Sequence, residues 1–299
     1  MKILNQVGIE SSQTILDRPP IFILGVPRSG TTLLRMIIDS HPEIMCGPEA
    51  PWITNQQLDW APSLRSLTLF MTKNEWGAVK AFKGVEQDLI YQLIANFINE
   101  IMSVSARSHG KIQWAEKTPR NIIALPFLYR LFPHAKFVHI YRDGRDVALS
   151  TMGKWTTIPM FDKKVKNNYK NALKRWVNWN QKFWKDADKI GLNYISIRYE
   201  DLVTLPQAEI GKLLEFLEVT WSDKVLKPHA VEHDIVKMTG KGIKAFFDRN
   251  SIDTASIYRW KKELNWLQKQ TTKSIAEETL LNFGCLLYTS DAADEPSSV

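Results

Sequence analysis

Between a short apolar run and an amphipathic segment lies Gly25-Val26-Pro27-Arg28-Ser29-Gly30-Thr31-Thr32. In such a place successive backbone N–H groups and a helix N-terminus form an anion cradle. A loop that grips nucleoside triphosphates carries a lysine after its second glycine to reach the terminal phosphates; here Thr31 stands there. No acidic magnesium partner is evident, so the pattern suits a ligand with one phosphate-linked group and no metal, with Arg28 as the cation. A second charged set, Arg142-Asp143-Gly144-Arg145-Asp146, again separates a strand-like run from a helical one. Taken singly, Arg142 would pair with Asp143 or Asp146. Glu49, in Cys46-Gly47-Pro48-Glu49-Ala50-Pro51, is a candidate general base, because two prolines restrict the backbone that carries it.

The other reactive residue types offer less. His139 falls inside a strand pattern and His41 stops a helix, so both read as structural. Cys46 lacks a basic neighbour to lower its thiol pKa, and no histidine-cysteine-acid cluster has metal-ligand spacing.

The elements that must position these groups follow from hydrophobic periodicity. Ile21-Phe22-Ile23-Leu24-Gly25-Val26 is a continuous apolar run, as in a strand buried on both faces. Leu33, Leu34, Ile37 and Ile38 share one helical face, and His41-Pro42 ends that helix. Lys136–Tyr141 reads as a strand leading into a helix from Val147 to Gly153 that Asp143 could cap. Asn193–Arg198 reads as a third strand, before Tyr199-Glu200-Asp201-Leu202 and a helix around Ile210–Leu217. Residues 165–190 form a long basic helix whose Leu173, Trp176, Trp179 and Phe183 recur at helical spacing and belong to the core. Strands alternating with helices predict an α/β architecture.

With 299 residues, 44% hydrophobic, the chain can bury a full core. Residues 1–20 read as a polar leader and 21–284 as the folded domain. Residues 285–299 break composition and read as translated sequencing adapter. Setting that tail aside removes Asp291, Asp294 and Glu295, three acids, and raises the formal charge from +7 to +10. Such a body suits anionic ligands. No signal peptide or membrane span is legible, and Cys46 is then the sole cysteine, so a soluble, cytoplasmic protein is expected.

Pro27-Arg28-Ser29-Gly30-Thr31-Thr32-Leu33-Leu34 resembles the 5′-phosphosulfate loop of sulfotransferases that use 3′-phosphoadenosine 5′-phosphosulfate (PAPS). That resemblance implies a P-loop nucleotide-kinase-like parallel sheet flanked by helices, the sulfotransferase fold, with the donor across the carboxyl ends of the strands. It implies that Arg28, Ser29, Gly30, Thr31 and Thr32 hold the phosphosulfate, Arg142 and Ser150 the 3′-phosphate, and Lys154 the donor's phosphates. Tyr199 would lie near the adenosine and Arg259, in Ser256–Leu264, would close over the nucleotide.

Asp39-Ser40-His41-Pro42, Arg142–Arg145 and Trp221–Leu226 are most similar to tyrosylprotein sulfotransferases. In those, a glutamate at the position of Glu49 is the base and a lysine at the position of Lys117, in Ala115–Pro119, neutralises charge on the sulfuryl oxygens; Arg28 joins them in catalysis. One departure concerns the acceptor, since the arginine that receives acidic peptides is Pro51 here. The expected function is sulfuryl transfer from PAPS, without metal, to a hydroxyl of a peptide, carbohydrate, lipid or small molecule, protein tyrosine included. A homodimer is admitted. A magnesium-dependent P-loop kinase for a small molecule or nucleotide is the alternative, opposed by the missing loop lysine. A nucleic-acid-binding module has no motif to support it.

Overall fold

The structure, a computed structural model, describes residues 18–54, 63–154, 168–234, 252 and 254–285. In chain order the strands are β1 (Ile21–Leu24), β2 (Ile44–Cys46), β3 (Gln113–Glu116), β4 (Lys136–Tyr141) and β5 (Tyr194–Arg198). The helices begin with α1 (Thr31–Asp39), α2 (Pro51–Thr54), α3 (Leu64–Lys73), α4 (Ala78–Ala81), α5 (Gln87–Ser108) and α6 (Leu125–Leu131). They continue with α7 (Gly144–Lys154), α8 (Tyr169–Ile190), α9 (Tyr199–Thr204), α10 (Pro206–Leu217), α11 (Trp260–Glu263) and α12 (Trp266–Asn282).

The five strands form one parallel sheet in the order β2-β3-β1-β4-β5. Ile21 to Leu24 are each fully buried, as a central parallel strand covered on both faces requires. On one face Phe22 packs edge-on to Trp114 at 5.7 Å and stacks on Phe137 at 5.6 Å. Trp176 and Phe183 of α8 join this core, with Trp179 packed partly buried against it, so the aromatic stripe packs as its periodicity predicts. The other face buries Ile21, Ile23, Leu34, Ile37 and Ile38 against α10 residues such as Leu213 and Leu214. Each such fully buried large apolar side chain contributes about 1.5–3 kcal/mol.

Local chemistry sets the helix ends. Asn168 caps α8 by accepting the Asn171 N–H at 3.0 Å, and Gly191 ends it with φ 60°. Asp143 accepts the Arg145 N–H at 2.9 Å, the cap its position predicts. Two strands were not anticipated. β2 has three residues, and β3 consists of Gln113, Trp114, Ala115 and Glu116, all buried. β2, Ile44-Met45-Cys46, is an apolar run too short to mark a strand by itself, and β3 mixes polar with apolar residues, so only pairing in the sheet reveals them. Cys285, first residue of the set-aside tail, donates its N–H to Leu280 O at 2.9 Å and accepts from Arg145 through its carbonyl at 2.8 Å; residues 286–299 lie outside the described ones.

Candidate active site

Parallel strands aim their carboxyl ends at one rim, and in open α/β sheets that rim holds the ligand crevice where the strand order reverses. In sheet order the rim carries Glu49 after β2, Lys117 after β3, the 25–32 loop after β1, Arg142 after β4 and Tyr199 after β5. The central strand therefore bears the anion loop.

That loop is shaped by two close approaches. A side chain at Gly25 would come within 2.6 Å of the Ile140 carbonyl, and one at Gly30 within 2.3 Å of the Tyr199 ring. Gly30 has φ 97° and Arg28 φ 78°, both left-handed; the first suits glycine and the second is strained. Gly30 O accepts the Leu34 N–H at 3.1 Å and opens α1, whose first N–H groups have no partner within the helix. Ser29 is buried and its Oγ has no hydrogen-bond partner among the described residues.

The two sequence-distant anion sites meet directly. Arg28 Nε donates to Ser150 Oγ at 3.0 Å, and Arg142 Nη1 donates to Arg28 O at 3.3 Å. The Arg142 guanidinium lies 4.5 Å over the Tyr199 ring, and its buried Nε has no partner among the described residues. Burial first, and the Arg142 charge second, push the Arg28 pKa below its ordinary value. Two like charges and two unmatched buried donors fit an anionic ligand. Part of the simpler alternative holds as well, since Arg142 Nη2 is 3.7 Å from Asp146 Oδ2. Arg145 is structural, paired with Asp143 at 2.7 Å and stacked 3.4 Å over Trp260.

Glu49 and Lys117 form the second half of the site. The Lys117 ammonium donates to Glu49 Oε1; Lys117 is almost wholly buried, whereas the Glu49 side chain is 43% exposed and so open to an acceptor. Beneath them Glu116 is fully buried, and burial pushes its carboxyl up to about 7. Sequence reading missed Glu116, and also Arg35, whose Nε donates to Cys46 O at 2.9 Å and Gly47 O at 2.8 Å. Both anchor the Glu49 segment. The available signal was a charged residue next to Lys117 and another inside the apolar face of a helix.

Arg259 lies in the C-terminal segment and pairs with a neighbour on its own helix. Its Nε and Nη2 donate to the Glu263 carboxylate at 2.7 and 2.8 Å, one turn on, which raises its pKa. The C-terminal segment reaches the site: Arg142 Nη2 donates to Ser256 O, and Trp260 N–H to Asp146 Oδ1 at 2.9 Å. The Lys154 side chain, at the end of α7, lies outside what is described. His139 is a core residue, stacked 4.1 Å from Phe183, and burial lowers its pKa to about 3. Burial raises the Cys46 thiol to about 12, which removes it as a nucleophile.

The family model described as "Sulfotransferase family" matches residues 19–223. Protein-tyrosine sulfotransferase A of Caenorhabditis elegans is 35% identical over 214 residues, 70% of this chain and 52% of that protein. The chain spans about half the length of most curated relatives it matches. Among solved structures, the sulfotransferase domain from the curacin biosynthetic pathway is 25% identical with TM-score 0.56, covering 88% of this chain and 97% of that one. Mouse sulfotransferase SULT7A1, solved complexed with PAP, shares the fold at 15% identity and TM-score 0.51, covering 91% of each chain. By its matching model and its relatives, the chain belongs to the sulfotransferase family.

Proposed function

We propose that this chain transfers a sulfuryl group from PAPS to a hydroxyl acceptor, and that a tyrosine side chain is the acceptor, which its protein-tyrosine sulfotransferase relatives support. The observation that carries the reading is the direct contact of the two anion sites through Arg28, Ser150 and Arg142. A ligand with anionic groups at both ends suits that arrangement, and the structural relative complexed with PAP supports a nucleotide of this kind. PAPS supplies a sulfuryl group activated on its 5′-phosphate and a 3′-phosphate as a second handle.

The residues divide the work. Arg28, Ser29, Gly30, Thr31 and Thr32 hold the phosphosulfate end, Arg142 and Ser150 the 3′-phosphate, and Tyr199 the adenosine. Glu49 accepts the acceptor's hydroxyl proton while that oxygen bonds to sulfur and the sulfur–oxygen bond to the 5′-phosphate breaks. Lys117 and Arg28 neutralise charge on the sulfuryl and bridging oxygens. Pro51 stands where the resemblance implies a peptide-receiving arginine, so a neutral peptide serves as well as an acidic one. The exposed stripe Leu89, Leu93, Phe97, Ile101 and Val104 along α5 supports a homodimer, since one apolar face repeated by a two-fold axis is self-complementary. A cytoplasmic location belongs to the same proposal and rests on the cysteine content. Among the described residues no helix is long and apolar enough to cross a membrane.

Labelled PAPS or ATP, each with and without EDTA, offered with tyrosyl peptides, phenols, alcohols and sugars, tests the reading. Label is expected on a tyrosyl hydroxyl from PAPS, EDTA or not. Turnover from ATP alone refutes it.

A further inference from the structure

The Glu49–Lys117 pair rests on a buried carboxylate whose bonds run to both of its members' segments. Glu116 ends β3 one residue before Lys117 and is 1% exposed. Its Oε1 accepts the N–H of Ala50, the residue after Glu49, at 3.2 Å, and also the Thr118 hydroxyl. Its Oε2 accepts from the Asn121 side-chain amide. Thr118 Oγ1 accepts the same Ala50 N–H at 3.0 Å, and Asn121 Oδ1 accepts the Thr54 hydroxyl at the far end of α2. An ionised carboxylate is acceptor-only, and three donors converge on this one.

Filling space at this place calls for an apolar side chain, because burying a carboxylate is costly unless its hydrogen bonds are met. Here they are met by donors that flank the two candidate catalytic groups. We propose that Glu116 is a positioning residue, tying the end of β3 to both ends of α2 so that the Glu49 carboxylate and the Lys117 ammonium keep one mutual geometry. This rests on the sulfotransferase reading of the site. Burial raises the Glu116 pKa, and the Thr118 and Ala50 hydrogen bonds act against that rise by favouring the charged form.

Glu116→Gln tests it, because the new amide nitrogen faces the Asn121 amide donor to donor. Turnover with PAPS is expected to fall about 10- to 100-fold, the scale of a small displacement of catalytic groups. The KM for PAPS and the Kd of adenosine 3′,5′-bisphosphate are expected to stay within about threefold, and Ala50 amide exchange to quicken about tenfold or more. Adding Asn121→Asp reverses donor and acceptor and is expected to return turnover to within about fivefold of wild type. Unchanged kcat in folded Glu116→Gln, or nucleotide affinity falling in step with kcat, overturns the proposal. Should that variant not fold, Thr118→Val removes one arm alone, and unchanged kcat there overturns it equally. An unprotected Ala50 amide in the wild-type protein also overturns it. A wild type that binds no adenosine 3′,5′-bisphosphate sinks the sulfotransferase reading instead, while the exchange result still judges the network.

Discussion

Replacing Glu49 by glutamine separates proton transfer from nucleotide binding. The amide keeps an oxygen where Oε1 accepts from Lys117, but it cannot take a proton at neutral pH. The Glu49 side chain is 43% exposed, so water screens its pairing, and losing its charge costs about 1 kcal/mol. A chain of this size then loses about 2 °C in melting temperature. Catalysis suffers far more. A positioned general base contributes about 10²- to 10⁴-fold, or about 3–5 kcal/mol of barrier. Since the hydrogen bond of Glu49 goes to Lys117 and those of Arg28 and Arg142 go elsewhere, the Kd of adenosine 3′,5′-bisphosphate should hold within about threefold. Single-turnover assays with labelled PAPS, beside calorimetric titration of the bisphosphate, read the two effects separately. Turnover within threefold of wild type, or affinity lost by more than about tenfold, would refute the assignment.

Arg142→Ala should weaken bisphosphate binding about 10- to 100-fold together with turnover, because it removes a charged, forked donor set; calorimetry that finds wild-type affinity contradicts its place at the 3′-phosphate. Gly30→Ala forces a Cβ within 2.3 Å of the Tyr199 ring at φ 97° and should cost about 2–4 kcal/mol with loss of nucleotide binding. Gly211→Ala in α10, where a Cβ meets nothing within 4 Å, should instead stabilise by about 0.5–1 kcal/mol in urea titrations. Burial lifts the Glu116 carboxyl from its ordinary 4.5 to about 7. Between those values the unfolded chain has released this proton and the folded one keeps it, so stability falls as pH rises through that window, by about 3 kcal/mol, and levels off above 7. Glu116→Gln should lack that decline, and equal slopes for both proteins between pH 5 and 7 would contradict it.

Strands β1, β4 and β5 are legible in the sequence as apolar, strand-like runs, α1 and α8 because their apolar residues repeat with the helical period, and α7 and α10 because they follow such runs. The anion loop is legible for a related reason: glycines and an arginine between strand and helix leave little else for the backbone to do. Arg142 and Ser150 stand eight residues apart on one strand end and one helix, and family resemblance gives them a common purpose. Family resemblance, rather than periodicity, singles out Lys117 and Glu49, the latter helped by the restricted backbone between Pro48 and Pro51.

Tertiary structure alone decided the rest. β2 and β3 exist because neighbouring strands pair with them, and a four-residue strand holding Gln113 and Glu116 announces no period of its own. That pairing brings Glu49 to Lys117 across 68 positions of sequence, and it turns Glu116 from an ordinary charged residue into a desolvated anchor. Arg259, a basic residue beside a tryptophan, pairs with Glu263 at helical spacing, because a partner one turn away is met at little cost in chain entropy. Sequence determines what each segment prefers alone; which side chains share a pocket depends on strand order, and strand order is a property of the whole packed sheet.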